Sequence, residues 1–228
     1  MLIKEYMTPQ PITVDESTSV IDAANLMKEK KIRRFPVLRE NELVGVVTDR
    51  DLRSAAPSQV ISFDAAEREL MPELHSLLAR INIGEIMSRD VMTVDPEQTI
   101  VTAALLMLKH RISGLPVVDS KGALVGIVTE GDIFKVLVDF SGIHLGNTVL
   151  AFRLEDRPAS IKEAADVIRE HDGRLASILT SYAPTDPGFR RAYFRIRDLP
   201  SEKLQALRQA MEENFELLYM IQDDVDIP

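Results

Sequence analysis

The sequence predicts an α+β chain made of two copies of one β-α-β-β-α unit, followed by a β-α-β-β-α-β unit of different design. Three observations predict it. Residues 7–53 recur with conservative changes at 87–134, so that Met7 aligns with Met87, Val14 with Val94, Ala24 with Ala104 and Pro36 with Pro116. Each copy closes on one short element, GVVTDRDL and then GIVTEGDI, where an extra residue near Gly122 shifts the register and aligns Gly45 with Gly126, Thr48 with Thr129 and Asp51 with Asp132. From Gly146 the repetition stops and the apolar residues follow another rhythm. Repetition of this regularity marks one folding unit used twice, and two like units packed together create clefts bounded by both.

Each copy opens on a short extended piece, ITVDESTS or MTVDPEQT, whose Pro, Asp, Ser and Thr supply turn and cap chemistry before an apolar-periodic stretch. Helices are expected from Val20 to Lys30 and from Ile100 to His110. Their buried stripes are expected to be Ile21, Ala24 and Met27, and Val101, Ala104, Leu105 and Leu108. Two β-rich runs follow in each copy, Phe35–Leu38 with Leu43–Thr48 and Leu115–Val118 with Leu124–Thr129. Hairpin-like turns at Arg39–Glu42 and from Asp119 to Gly122 join them. A closing helix opens at Asp49 and again at Glu130. Between the copies, Leu70, Leu74, Leu77, Leu78 and Ile81 recur among charges and predict a linking helix. The terminal stretch reads TVLAFRL, ASIKEAADVIREH, RLASILTSY, AYFRIRD, SEKLQALRQAMEENF and LLYMIQD, the element order of a ferredoxin-like sheet. Its hairpin loop is placed at Ala183–Gly188, and Asp223-Asp224 is expected to be a solubilising tail. The chain thus divides into residues 1–60 (first repeat), 61–82 (linking helix), 83–141 (second repeat) and 146–228 (terminal unit).

Composition removes several function classes. With 36 acidic against 27 basic residues the net charge is −9, which argues against a broad nucleic-acid surface, because phosphate backbones are bound by clustered cations. There is no cysteine, so disulfides, thiolate metal sites and cysteine nucleophiles are excluded. No stretch approaches the roughly 18 apolar residues that span a bilayer, and the first residues lack an apolar signal core; a cytoplasmic protein is expected. His75, His110, His144 and His171 stand apart from one another with no metal-ligand spacing, and neither a Gly-x-Ser-x-Gly elbow nor a Gly-Lys-Thr phosphate loop occurs. Neither a catalytic residue nor a metal site is expected.

The repeated polar residues carry the chemistry. In both copies a strand ends on Thr and an Asp follows in the first turn of a helix: Thr48-Asp-Arg-Asp51 and Thr129-Glu-Gly-Asp132. One reading is a helix cap, in which hydroxyl and carboxylate satisfy orphan backbone N–H groups. The other is a ligand corner, where the helix N-terminus and the Thr hydroxyl receive a phosphate and the Asp accepts ribose hydroxyls. The two share residues and are compatible. Copy one surrounds its corner with Arg33, Arg34, Arg50 and Arg53, where copy two has Ser113, Gly114, Gly131 and Phe134. Because guanidinium groups offset the desolvation of a polyanion, copy one's arginines are expected to select the more phosphorylated ligand.

A GhhT strand end, an xPVh strand about a dozen residues before it and the β-α-β-β-α frame, all present twice, resemble the CBS domain in its tandem arrangement, the Bateman module. That resemblance covers residues 1 to about 138. It implies an adenine nucleotide or related adenosyl ligand (AMP, ADP, ATP or S-adenosylmethionine) in clefts between the copies, and a regulatory, non-catalytic role. Carried over by position, Asp51 and Asp132 would hold ribose, and Thr48 and Thr129 ribose or phosphate; Arg50 is expected at the same site from the charge argument. Val14 and Val94, with Arg34, Pro36, Gly114 and Pro116, would flank the base. The terminal unit resembles an ACT domain at LEDRPASI, where Asp156 and Pro158 match the family and Ala159 stands at its glycine position. This implies dimerisation, a second small-molecule signal, or both, in a homodimer whose target enzyme the sequence does not name. The order CBS, CBS, ACT resembles accessory proteins associated with acetoin utilisation. A constitutive scaffold without ligand is the alternative.

Overall fold

The computed structural model describes residues 1–55, 79–182 and 186–223. Contacts divide the chain into two compact units, Met1–Ile133 and Phe134–Pro228. Most of the expected linking helix, and the middle of the Ala183–Gly188 loop, lie outside the described residues; 79–80 form a turn and Asn82 a bridge to Ser19.

In the first unit, copy one folds as β2 (Val14–Asp15), α1 (Val20–Lys30), β3 (Arg34–Arg39), β4 (Glu42–Thr48) and α2 (Asp49–Ala55). The order β2-β3-β4 is parallel, then antiparallel. Copy two repeats it with α4 (Ile100–His110), β5 (Gly114–Val118), β6 (Leu124–Thr129) and α5 (Glu130–Ser141), Val94 bridging Val117 as Val14 pairs with Val37; from Phe134 on, α5 belongs to the second unit. The opening strands are shorter than the expected runs. Ser19 and Thr99 cap their helices by accepting the N–H of Asp22 and Thr102 at 3.1 and 3.2 Å. Both helices end on a left-handed cation, Lys31 (φ 54°) and Arg111 (φ 55°). The hairpins differ as the insertion requires. Glu40 and Asn41 are both left-handed, as a two-residue turn demands, whereas Asp119 Oδ1 in copy two accepts the N–H groups of Lys121 and Ala123, with Gly122 at φ 82°.

The copies exchange their leading segments, which the repeat pattern did not reveal. The Ile3 N–H donates to the Gln98 carbonyl, Lys4 to Pro96, and Ile100 donates to Met1. At equivalent positions Ile83 donates to Thr18, Gly84 to Glu16, and Val20 to Ile81. β1 (Thr8–Pro9) adds to β6 as the outer strand of copy two's sheet, and Val46 and Ser88 make the matching bridge on copy one. After the short α3 (Ile83–Ile86), Met87 lies over Gly45, while Met7 lies over Gly126; in each case a Cβ on the glycine would stand 2.3 Å from the methionine sulfur. This accounts for the paired Met and Gly of the repeat: each strand glycine makes room for the other copy's methionine. Ile83 and Met87 belong to copy one's core with Phe35, Val37, Val47 and Leu52.

One expected stripe is corrected. In α4 the buried residues are Ile100, Ala103 and Met107, and Val101, Leu105 and Leu108 are exposed, Leu108 by 77 %. Almost every position of IVTAALLMLKH is apolar, so periodicity alone cannot choose a face. In α1 the expected Ile21, Ala24 and Met27 are buried, together with Val20 and Ala23, so the first copy buries a wider face than α4 does.

The second unit is an antiparallel sheet, β10 (Glu216–Gln222), β7 (Thr148–Glu155), β9 (Phe189–Ile196), β8 (Leu175–Ser181), with α6 (Ser160–Glu170) and α7 (Ser201–Asn214). Both helices contribute to one core with Leu150, Phe152, Phe194 and Ile196. This is the expected β-α-β-β-α-β order. Two edge-to-face ring contacts, Phe152 with Phe194 at 5.5 Å and with Phe215 at 5.9 Å, fix its centre. Arg195, 9 % exposed, donates to the Ser141 and Gly146 carbonyls and to Asp223. Asp223 is therefore a structural partner and not part of a solvated tail. Satisfying three acceptors is what makes so deeply placed a guanidinium tolerable.

Candidate functional site

Both strand-to-helix corners are built from the same bonds. Asp51 Oδ2 accepts from the Thr48 N–H at 2.8 Å and from its hydroxyl at 2.7 Å; Asp132 Oδ2 accepts from Thr129 at 2.9 and 2.8 Å. The carboxylate reaches back over the helix start, so the capping reading of these residues holds. The corners differ in surroundings. Asp132 is buried at 5 % exposure, while Asp51 is half-buried.

The corner of copy one opens into a cleft of about 1070 Å³, ample for a nucleotide. Thr48, Asp51 and Ser54 line one side. Copy two supplies the facing wall through Val91 and Met92, through the end of α4 at His110 and Arg111, and through Ser113, Gly114 and Pro116. Of the expected site residues the cleft brings together Thr48, Arg50, Asp51, Arg34, Gly114 and Pro116, with Arg33 and Arg53 beside them. Val14, Val94 and Pro36 are buried and do not line it, and Thr129 and Asp132 form the other corner. Arg111 and His110 were not among the residues expected at a site. The signal available for Arg111 was its position: a cation following the helix in both copies, Lys31 and Arg111, where a glycine is the usual choice.

Arg34 crosses from copy one to copy two. Its Nη2 donates to the Ser113 hydroxyl at 2.7 Å, and its guanidinium lies so near Gly114 that a Cβ there would stand 2.0 Å from Nη1. The Arg34/Gly114 difference is thus steric complementarity: one guanidinium uses the space of two side chains. Burial pulls the pKa of Arg34 below the usual arginine value, with Glu130 pulling it back, and it remains a cation. Arg53 pairs with Asp49 one turn away. Among the described residues, Arg33, Arg50 and Arg111 make no ion pair.

In the second unit, the junction of β7 and α6 places Asp156 with its N–H donating to the Gly188 carbonyl and its carboxylate 3.7 Å from Arg190 Nε and 3.4 Å from the Tyr182 hydroxyl. Ala159 is left-handed at φ 69°, a conformation that costs a non-glycine residue roughly 1–2 kcal/mol. No group of three or more His, Asp or Glu that could hold a metal occurs among the described residues, and no described helix is long and apolar enough to cross a membrane.

The CBS domain family model matches residues 3–58 and 83–139, the two copies with their exchanged leaders. A CBS domain-containing protein of Bacillus subtilis, YhcV, is 31 % identical over 131 residues, covering 58 % of this chain and 81 % of that one. The chain belongs to the CBS domain family. Among solved structures, CBSX2 from Arabidopsis thaliana is 32 % identical, with a TM-score of 0.50 over 61 % of this chain and 96 % of that one. CBSX2 has also been solved in complex with AMP, in a structure 31 % identical with a TM-score of 0.49, covering 61 % of this chain and 98 % of that one. A Vibrio cholerae protein described as AcuB, for acetoin utilization, is 30 % identical, with a TM-score of 0.50 over 63 % of this chain and 95 % of that one. The tandem pair is therefore a CBS pair, a module of generally regulatory character.

Proposed function

We propose that this chain is a non-catalytic regulatory protein whose CBS pair senses an adenosine-containing ligand. The observation that carries the reading is the cleft in which copy one's Thr48–Asp51 corner meets Gly114 and Pro116 of copy two. Asp51 would accept the ribose hydroxyls, and Thr48, Arg50 and the amides at the start of α2 would receive phosphate. Pro116, with Val91 and Met92, would flank the base. Thr129 and Asp132 would do the equivalent at the second corner. The partition into 1–60, 61–82, 83–141 and 146–228 goes with this reading, as does a homodimer. The terminal unit is assigned as ACT-like, for dimerisation or a second small-molecule signal at Asp156, Pro158 and Ala159. A role beside acetoin utilisation is the setting suggested by the order of the units.

Thermal unfolding with AMP, ADP, ATP and S-adenosylmethionine tests the reading. A ligand at 100-fold over its dissociation constant adds about 2.7 kcal/mol of stability, and at least one of the four should raise the midpoint accordingly. Product analysis after incubation with the same compounds should find them intact. A constitutive scaffold is the second reading, favoured by the closure of Asp51 and Asp132 onto their own threonines. No midpoint shift with any of the four would select it.

A further inference from the structure

The cations around the cleft come from both copies and stand on different elements. Arg33 and Arg34 precede or open β3, Arg50 and Arg53 lie in α2, and Arg111 caps α4. Four acids also line the cleft, Asp49, Asp51, Asp90 and Glu130, but they are not equally free. Asp49 is paired with Arg53, and Asp51 is held by Thr48. Arg34 is tied to Ser113. Arg33, Arg50 and Arg111 are exposed and without an ion pair among the described residues, on both sides of one opening. Arg111 also keeps a left-handed backbone at φ 55° that glycine would adopt without strain. Lys31, its equivalent, shows that a C-terminal cation suits either helix through the dipole; the cleft gives Arg111 a second use.

We propose that this cleft takes an adenosine di- or triphosphate in preference to the monophosphate, the phosphate tail lying between Arg50 of copy one and Arg111 of copy two. The inference rests on the reading of Asp51 and Thr48 as a nucleoside corner and adds the ligand's charge. A single phosphate at that corner meets copy one's cations alone. Each further phosphate extends toward copy two's wall, so affinity rises along the series and falls steeply with salt, as for any polyanion held by arginine. The uncharged Ser113, Gly114, Gly131 and Phe134 of copy two leave the Asp132 corner without the matching set.

The test is calorimetric titration of the full chain, without magnesium, with AMP, ADP, ATP and inorganic tripolyphosphate. ATP should bind about tenfold or more tighter than AMP, roughly one additional charge-assisted contact. Arg111→Gly should bring that ratio close to one while AMP affinity stays within about twofold, and relief of the left-handed strain should keep the protein folded. Arg50→Ala should weaken all three nucleotides, and Asp51→Ala should weaken them equally while sparing tripolyphosphate. AMP binding as tightly as ATP, or an ATP/AMP ratio untouched by Arg111→Gly, overturns the inference while the nucleoside reading stands. If Asp51→Ala has no effect on nucleotides, and Arg111→Gly weakens tripolyphosphate as much as ATP, the nucleoside reading fails and a bare polyphosphate site remains. No binding of any probe overturns both.

Discussion

The two copies share a corner and an exchanged leader, but they invest differently around them. In copy one the leader supplied by copy two is driven home: Met87 is buried and counts in the core with Ile83, and Arg39 grips Glu16, whose carbonyl takes the Gly84 N–H. In copy two the corresponding Met7 is only half-buried, and Glu16 and Arg39 are replaced by Pro96 and Asp119. Charge is divided unevenly too, with Arg33, Arg34, Arg50 and Arg53 in copy one where copy two has Ser113, Gly114, Gly131 and Phe134. Duplication followed by this division lets one copy supply cations where the other supplies space, as Arg34 over Gly114 shows.

The largest expected effect tests the exchanged leaders. Met87→Ala should cost about 2–4 kcal/mol in urea denaturation, as for other buried methionines, and Met7→Ala about half as much. Equal losses would break the comparison. Next comes the glycine beneath each methionine: Gly45→Val or Gly126→Val should cost about 1–3 kcal/mol by overpacking. Combining Gly45→Val with Met87→Ala should cost less than the sum, because the double change removes the clash, and strict additivity would deny the contact.

Smaller effects sharpen the contrast. Lys31→Gly and Arg111→Gly should each change stability by less than about 1 kcal/mol, since relief of left-handed strain opposes the lost dipole contact and the added chain entropy. A large loss at one of them alone would expose a structural role that the other copy lacks. The smallest effect is in acid. Hydrogen bonding to Arg39 holds the Glu16 carboxyl below its ordinary value of 4.5, and the Ser17 hydroxyl and N–H do the same for Asp15. A carboxyl with a depressed folded pKa contributes stability above its unfolded value and loses it as pH falls through the folded one. Protection of the amides around residues 14–20 and 82–88, corrected for the intrinsic exchange rate, should therefore fall below pH 4.5, as should that around residues 1–6, where the Leu2 N–H lowers the Glu5 carboxyl; protection that does not change would count against these contacts.

Much of the fold was legible because local chemistry repeats. The caps at Ser19 and Thr99, the Thr48–Asp51 and Thr129–Asp132 corners and every strand of the two hairpins follow from short patterns that physics reads the same way twice. The leader exchange was not legible: residues 1–6 and 81–86 share Ile3 with Ile83 and Glu5 with Glu85, but that likeness does not say which copy each leader serves, because their bonds run to the other copy through backbone groups that any side chain allows. The buried face of α4 was misassigned because its composition is apolar on nearly all sides. Arg50 and Asp51, which line the cleft, were expected there from their motif. Arg111 and His110 were missed because they reach the cleft only through the packing of one copy against the other.

Titration of AMP into the wild-type chain and into Asp51→Ala tests the account most directly, with the unfolding midpoint as control for the lost cap. The corner accepts ribose through a carboxylate, so the substitution should weaken binding about tenfold or more, the worth of a charge-assisted hydrogen bond. Unchanged affinity in a folded Asp51→Ala variant would contradict it and leave the aspartate a helix cap alone.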